Sequence, residues 1–181
     1  LLDHKNYSYG DNKKFISSII NNQNDVIFNT SKTFSESSDL LNELNLTNMP
    51  FSTENGALLY FPKNRFKKIK NSFDYGRYWK IKIAKLSAMN WHKFLLKKQK
   101  KFKFLIAQDL DSKILKKYTN LDNTSKMLNR EASQIILWED SLSYLRKFKN
   151  ELRSEKQGVL IQGSRFMQVS SVCNKRIAKK L

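Results

Sequence analysis

Residues 11–44 alternate helical and extended apolar patterns, and this alternation restricts the possible folds more than any other feature of the sequence. Residues 11–22 place apolar side chains at helical spacing, and Val26-Ile27-Phe28 form a short extended run. A polar stretch over 29–33 follows, and residues 35–44 again show a helical pattern, with Ser35 as the predicted N-cap. This order predicts a parallel α/β sheet. Ligands bind beyond the carboxyl ends of such strands, so we expect chemistry first at residues 29–33.

The rest of the chain also mixes predicted helices and strands. Glu54-Asn55-Gly56 is a turn signal, and an apolar strand over 57–61 follows it. Apolar positions between lysines over 77–99 predict one long helix. Residues 159–161 and 166–169 flank Gly163-Ser164-Arg165 as a predicted hairpin. Further helices are predicted over 112–118, 123–132, 141–153 and 174–181, and further strands over 105–107 and 134–138.

The chain is strongly basic, with 34 Lys and Arg against 16 Asp and Glu and a net charge of +18. The excess is concentrated in residues 61–118, which hold 18 basic and 3 acidic side chains. Clustered cations can bind nucleic acid phosphates. Most of these cations are lysines, which fit solvated helix faces, so a nucleic-acid partner is not expected.

Composition excludes several other classes of protein. A chain with 40% hydrophobic residues can bury a core, so it is neither a disordered acidic tail nor a collagen-like repeat. Cys173 is the only cysteine, so an internal disulfide is impossible. No apolar run is long enough for a membrane span, and the first residues, Leu1 to Lys5, lack the basic-then-apolar order of a signal peptide. We expect a soluble, cytoplasmic protein without a membrane partner, and a sequence that begins inside a longer one.

Single residues give little indication of chemistry. The two histidines, His4 and His92, lie far apart in sequence, and His92 is predicted to be a surface side chain. Cys173 has no histidine near it in sequence, which favours an inert thiol. Glu54 could serve as an acid or a base, but single carboxylates near turns are usually helix caps or solvated groups, which is the prediction here. Residue types alone therefore predict a basic α/β protein with a ligand-binding edge near Thr30.

A combination of segments is more informative. It comprises the TSKT sequence at 30–33, ENGA at 54–57, REAS at 130–133 with Trp138, GSRF at 163–166, and Lys175. In this order the segments resemble the mannosyl-3-phosphoglycerate phosphatases, a family of the haloacid dehalogenase superfamily. The opening Leu1-Leu2-Asp3 resembles the residues that follow the superfamily's first motif, Asp-x-Asp-Gly-Thr.

The resemblance implies a fold and a division into domains. The fold would be α/β, with a doubly wound haloacid dehalogenase-like core and an inserted α/β cap. The core would comprise residues 1–60 and begin again over 170–181, with the cap at 61–169. The nucleophilic aspartate and the acidic ligands of Mg²⁺ would lie outside this sequence, so we expect the chain alone to be inactive.

The resemblance also assigns roles to two catalytic residues. Thr30 matches the second motif, whose hydroxyl binds oxygens of the transferring phosphoryl group. Lys175 matches the third motif, whose ammonium stabilises the charge of the nucleophile and the phosphate.

Six further residues match positions that would contact substrate. Lys32 could meet an anionic group at the loop, and Asn55 and Gly56 would lie where the chain leaves the core for the cap. Arg130, Ser133 and Arg165 match cap positions for the sugar or the glycerate carboxylate, which a guanidinium can bind through two hydrogen bonds.

The sequence departs from the family at several positions. Gln134 replaces a glutamate, which leaves the preferred sugar open between mannose and glucose, and Ser164 and Arg176 replace glycines. The implied reaction transfers phosphate from a glycosyl-3-phosphoglycerate, a small phosphorylated sugar acid, to an aspartate and then to water. The alternative is a non-catalytic binding protein, either a degenerate phosphatase or a basic nucleic-acid-binding module.

Overall fold

The computed structural model describes residues 12–21, 26–119, 124–163 and 166–171, which form two sheets and six α-helices. The strands are β1 (Phe28–Asn29), β2 (Phe51–Thr53), β3 (Leu58–Pro62), β4 (Phe73–Tyr75), β5 (Tyr78–Lys82), β6 (Phe104–Ile106), β7 (Ser133–Trp138), β8 (Gly158–Gln162) and β9 (Met167–Ser171). The helices are α1 (Asn12–Asn21), α2 (Phe34–Glu43), α3 (Ala88–Lys98), α4 (Ser112–Thr119), α5 (Ser125–Leu128) and α6 (Leu142–Lys156). A single 3-10 turn (Ala107–Asp109) follows β6.

The first sheet has the strand order β1-β2-β3-β5-β4. β1 and β2 pair in parallel, and α2 connects them, so the parallel α/β unit predicted for this part of the chain is confirmed. The remaining pairs of this sheet are antiparallel. Leu41 of α2 and Phe51, Tyr60 and Tyr78 of the sheet form the buried core beneath the helix.

The N-terminus of α2 lies one residue before the predicted start. Thr33, not Ser35, is the N-cap, because its hydroxyl accepts a hydrogen bond from the Glu36 backbone amide (3.3 Å). The Glu36 carboxylate accepts one in return from the Thr33 backbone amide (2.9 Å), which completes a capping box. The prediction of Ser35 as N-cap was wrong because this reciprocal pair satisfies two backbone donors at once.

The long helix predicted over 77–99 is instead strand β5 followed by helix α3. Residues 79–82 alternate aromatic or β-branched side chains with lysine, which favours a strand when a partner strand is available. β3 supplies that partner, with Leu59 opposite Ile81. α3 begins only after Ser87, whose hydroxyl accepts a hydrogen bond from the Asn90 backbone amide (3.2 Å).

The second sheet has the order β6-β7-β9-β8 and is antiparallel throughout. The predicted hairpin of β8 and β9 is therefore confirmed. Helices α3 and α6 pack on this sheet, and their buried side chains meet those of the strands in one cluster. Its largest members are Trp91, Phe94, Phe102, Phe104 and Phe148.

The helix predicted over 123–132 is reduced to the single turn of α5. The backbone amides of Glu131 and Ala132 donate to the Glu54 carboxylate, on the first sheet, instead of to carbonyls of a helix.

The predicted boundary after residue 60 falls within β3, and the first sheet continues to Lys82. The predicted helix at 174–181 lies outside the described residues. No helix in the described part of the chain is long and apolar enough to cross a membrane.

Some lysines of the second sheet's helices form ion pairs. Lys98 binds Glu151 (Nζ to Oε2, 2.6 Å) and Glu155 (2.6 Å), and Lys101 also binds Glu151. The hydrogen bonds from Lys101 and Lys98 hold the pKa of Glu151 below its ordinary value. These two lysines therefore belong to a charge network with acidic side chains of α6.

We expect Glu151→Gln to lower the free energy of unfolding by less than about 1 kcal/mol at neutral pH, since the network is near the surface. A lowered carboxyl pKa stabilises the folded state above the unfolded pKa, and the stabilisation is lost as the pH falls through the lowered pKa. The difference between the variant and the original protein in urea unfolding should therefore vanish at acidic pH. A difference that stays constant from neutral to acidic pH would contradict this assignment.

Candidate functional site

The carboxyl ends of β1 and β2 face the β8–β9 hairpin across a cleft of about 260 Å³. Ser31 and Asn55 line it from the first sheet, and Gly163, Phe166 and Gln168 line it from the second. The polar loop after β1, where we expected chemistry, thus lies at a cleft between the two sheets.

Thr30 is fixed by the strand next to it. Its backbone amide donates to the Ser52 carbonyl (3.2 Å), and its carbonyl accepts from the Asn55 amide (2.9 Å). Its hydroxyl oxygen accepts from the Lys32 amide (3.1 Å), so the hydroxyl proton is left to donate to another group. The side chain is therefore held at the end of β1, beside the cleft-lining Ser31.

Lys32 lies on the same loop, half-buried, with its ammonium 3.2 Å from the Glu36 carboxylate. Its carbonyl accepts from the Glu54 amide (2.9 Å). Lys32 thus ties the loop to α2 and to the turn after β2, and it is not among the described residues that line the cleft.

The turn after β2 has three consecutive residues with left-handed backbone. The φ angles are 50° at Glu54, 61° at Asn55 and 87° at Gly56. Glycine adopts such angles freely and asparagine tolerates them, whereas glutamate is strained there. Hydrogen bonds to Lys32, Thr30 and Thr53 carbonyls hold the turn in this conformation. Strain maintained in this way is typical of functional sites.

Glu54 is buried, and its carboxylate links the two sheets. It accepts hydrogen bonds from the backbone amides of Glu131 (2.9 Å) and Ala132 (3.1 Å), and from the Ser133 hydroxyl. The prediction that Glu54 is a helix cap or a solvated group was wrong, because its side chain is 1% exposed and its partners lie in the segment before β7.

Arg130 and Ser133 belong to the same connection. The Arg130 guanidinium donates through Nη1 to the Ser31 carbonyl (3.3 Å) and to the Ser133 hydroxyl (3.1 Å). Burial lowers the pKa of Arg130, and the nearby carboxylates of Glu54 and Glu36 oppose that effect. Ser133 is fully buried, and its hydroxyl donates in turn to the Glu54 carboxylate. The structure thus brings both predicted residues to the edge of the loop that carries Thr30.

Solved structures with the same architecture come from several organisms, whereas no protein-family model matches the chain. One from Thermoplasma acidophilum is 15% identical, with a TM-score of 0.67, and the match covers 99% of this chain and 64% of that one. Haloacid dehalogenase-like hydrolases from B. subtilis and from Bacteroides thetaiotaomicron are 11% and 12% identical, with TM-scores of 0.60 and 0.59. Both matches cover 99% of this chain, and 75% and 71% of the respective neighbours. The chain has the haloacid dehalogenase-like fold. The fold predicted from the sequence is thereby confirmed, and the chain spans roughly two thirds of the Thermoplasma neighbour's length.

Within this haloacid dehalogenase-like fold, two predicted site residues remain predictions. Lys175 and Arg165 lie outside the described residues. The departure from the family at Gln134 lies away from the cleft, since its amide donates to the Ala88 carbonyl (3.2 Å) and to the Gln108 side chain (2.6 Å). The surface prediction for His92 is consistent with its contact to Asp109 (2.7 Å), at a partly exposed position.

Sequence reasoning missed two residues of the site, Glu54 and Gln168. Asn55, predicted to contact substrate, donates through Nδ2 to the buried Gln168 side chain (2.8 Å). The signal for Gln168 was its position in a β-run, between Met167 and Val169, where alternation separates its side chain from the apolar face. No pattern in the sequence indicated that Gln168 and Asn55 would be hydrogen-bonded to each other.

Proposed function

We propose that this chain is part of a cytoplasmic phosphatase that hydrolyses mannosyl-3-phosphoglycerate or glucosyl-3-phosphoglycerate to the glycosylglycerate. The observation that carries the proposal is the cleft between the β1–β2 edge, with its threonine loop, and the β8–β9 hairpin. The hydrolase names of two structural neighbours support the reaction class. The motif resemblance supports the substrate. We place the core in the first sheet up to Lys82, instead of up to residue 60, and the cap in the second sheet.

In this proposal the Thr30 hydroxyl donates to an oxygen of the phosphoryl group, and Lys175 stabilises the charge that develops there. The aspartate that receives the phosphoryl group belongs to the motif expected before Leu1. Arg165 binds the glycerate carboxylate, and Arg130 holds the Ser31 carbonyl and thereby the loop.

We propose Mg²⁺ as a cofactor of the whole protein, and not of this chain alone. Within the described residues, no group of three His, Cys, Asp or Glu side chains is arranged to bind a metal ion. The resemblance assigns the acidic ligands to motifs outside this sequence. When bound, Mg²⁺ would neutralise charge on the phosphate.

We expect Thr30→Val, in the protein expressed from its complete coding sequence, to lower kcat for mannosyl-3-phosphoglycerate by about 10²-fold, as for the loss of one donor to a developing charge. Thr30→Ser is the matched control, since it keeps the hydroxyl, and should stay within about threefold. Phosphate release measures both. A valine variant as active as the original protein would contradict the role of Thr30, and a complete protein that releases no phosphate from either glycosyl-3-phosphoglycerate would overturn the proposed function.

A further inference from the structure

β9 carries two kinds of side chain on its two faces. Val169 is buried in the apolar cluster beneath α3 and α6, with Met167 packed against it. Successive side chains of a strand point to opposite faces, so Gln168 and Ser170 lie on the other face of the sheet. Gln168 lines the cleft that faces the first sheet.

In the described part of the chain, the oxygen of the Gln168 side-chain amide has a hydrogen-bond partner and the nitrogen has none. Its Oε1 accepts the hydrogen bond from Asn55 Nδ2, at 2.8 Å. Its Nε2 is buried, with no hydrogen-bond partner in the described part of the chain, although the side chain is only 3% exposed. Buried donors are almost always paired in folded proteins, so an unpaired one at a cleft indicates a missing acceptor.

Asn55 determines which half of the amide is left over. In this arrangement the Asn55 nitrogen donates to the Gln168 oxygen, so the Gln168 nitrogen points away from Asn55. Asn55 is itself held by the bond from its backbone amide to the Thr30 carbonyl (2.9 Å) and by its left-handed backbone, with φ of 61°. The backbone of Asn55 is thus held in place, and its side-chain nitrogen meets the Gln168 oxygen from there.

The described lining of this cleft carries no charged side chain. Phe166 and Ile161 give it an apolar wall, beside the amides of Gln168, Asn55 and Gln162. An apolar wall with a few oriented polar groups suits the part of a ligand that is uncharged and carries hydroxyl groups.

We propose that Gln168 contacts the ligand and determines specificity: its Nε2 donates to a hydroxyl oxygen of an uncharged, polyhydroxylated group, such as the hexose of a glycoside. Asn55 is the positioning residue that holds the amide in the donating orientation. This inference rests on the proposed function only in taking the cleft as the substrate site.

The test titrates the 181-residue chain with methyl α-mannoside, which has neither phosphate nor carboxylate, and follows binding by amide NMR shifts. Gln168→Glu keeps an acceptor for Asn55 but removes the donor, and Gln168→Leu removes both. Each should weaken glycoside binding at least about tenfold. Asn150→Leu, at an exposed position of α6 that does not line the cleft, is the matched control and should change binding less than about twofold. Asn55→Gly, which suits the left-handed backbone, should weaken binding severalfold.

Monodeoxy analogues of the glycoside separate a direct contact from a structural role. One deoxy analogue should bind the original chain about tenfold more weakly, and the same analogue should bind Gln168→Leu no more weakly than the parent glycoside does. Additive losses for every analogue would mean that Gln168 acts through the fold, and would overturn the proposal. It would equally be overturned if the original chain bound no glycoside, or if both Gln168 variants bound it normally. Phosphate release by the complete protein is measured separately, so a failure of the proposed function remains distinguishable.

Discussion

Replacement of Glu54 by alanine is expected to lower the free energy of unfolding by about 3–5 kcal/mol. The change leaves the backbone amides of Glu131 and Ala132 and the buried Ser133 hydroxyl without their acceptor. It also removes a carboxylate that offsets the burial of the Arg130 charge. Each unsatisfied buried donor adds to the loss, because water does not replace its partner.

Urea unfolding of the 181-residue chain measures this effect. Glu155→Gln is the matched control, because that carboxylate also contacts a cation, Lys98, but is about half exposed (47%). We expect the control to lose less than about 1 kcal/mol. Similar losses in both variants would mean that the Glu54 contacts do not hold the segment before β7.

The second large effect is expected at Phe148, at the centre of the cluster between α6 and the second sheet. Its ring is fully buried and lies 5.3 Å from the rings of Phe102 and Trp138 and 5.6 Å from that of Phe104. Phe148→Ala removes these contacts and leaves a cavity among rigid aromatic neighbours. We expect a loss of about 3–5 kcal/mol in the free energy of unfolding.

Leu142→Ala on the same helix provides the comparison, since the Leu142 side chain is 73% exposed. Its loss should stay below about 0.5 kcal/mol. Denaturation followed by tryptophan fluorescence reports both variants, because Trp138 packs against Phe148. If Phe148→Ala unfolds at the same urea concentration as Leu142→Ala, the aromatic cluster is not the core of the second sheet.

Elements with one clear periodicity could be predicted from the sequence. Helix α6 was predicted from Ser141 onward. The Ser141 hydroxyl does cap the helix, since it accepts a hydrogen bond from the Tyr144 backbone amide (3.4 Å). Residues 78–82 were assigned to a helix because, over so short a window, their mixture of lysines and apolar residues fits the helical period as well as the two-residue period of a strand. The pairing of Ile81 with Leu59 decided between them, and pairing is a long-range property.

The site was predictable only in part, for the same reason. The loop at Thr30 and the turn at Asn55 follow local strands, so their position at a sheet edge could be inferred. The roles of Glu54 and Gln168 depend on partners 77 and 113 residues away in sequence, respectively. No local pattern contains that information, and a buried carboxylate is indistinguishable in sequence from a solvated one.

The left-handed turn after β2 makes two cross-sheet connections with adjacent residues. Glu54 reaches the segment before β7, and Asn55 reaches β9. A single inserted or deleted residue in this turn would therefore break both connections together, whereas a substitution at one position leaves the other in place. The length of the turn is thus constrained in addition to its composition, and homologous proteins that keep this cleft should carry no insertions or deletions at 54–56.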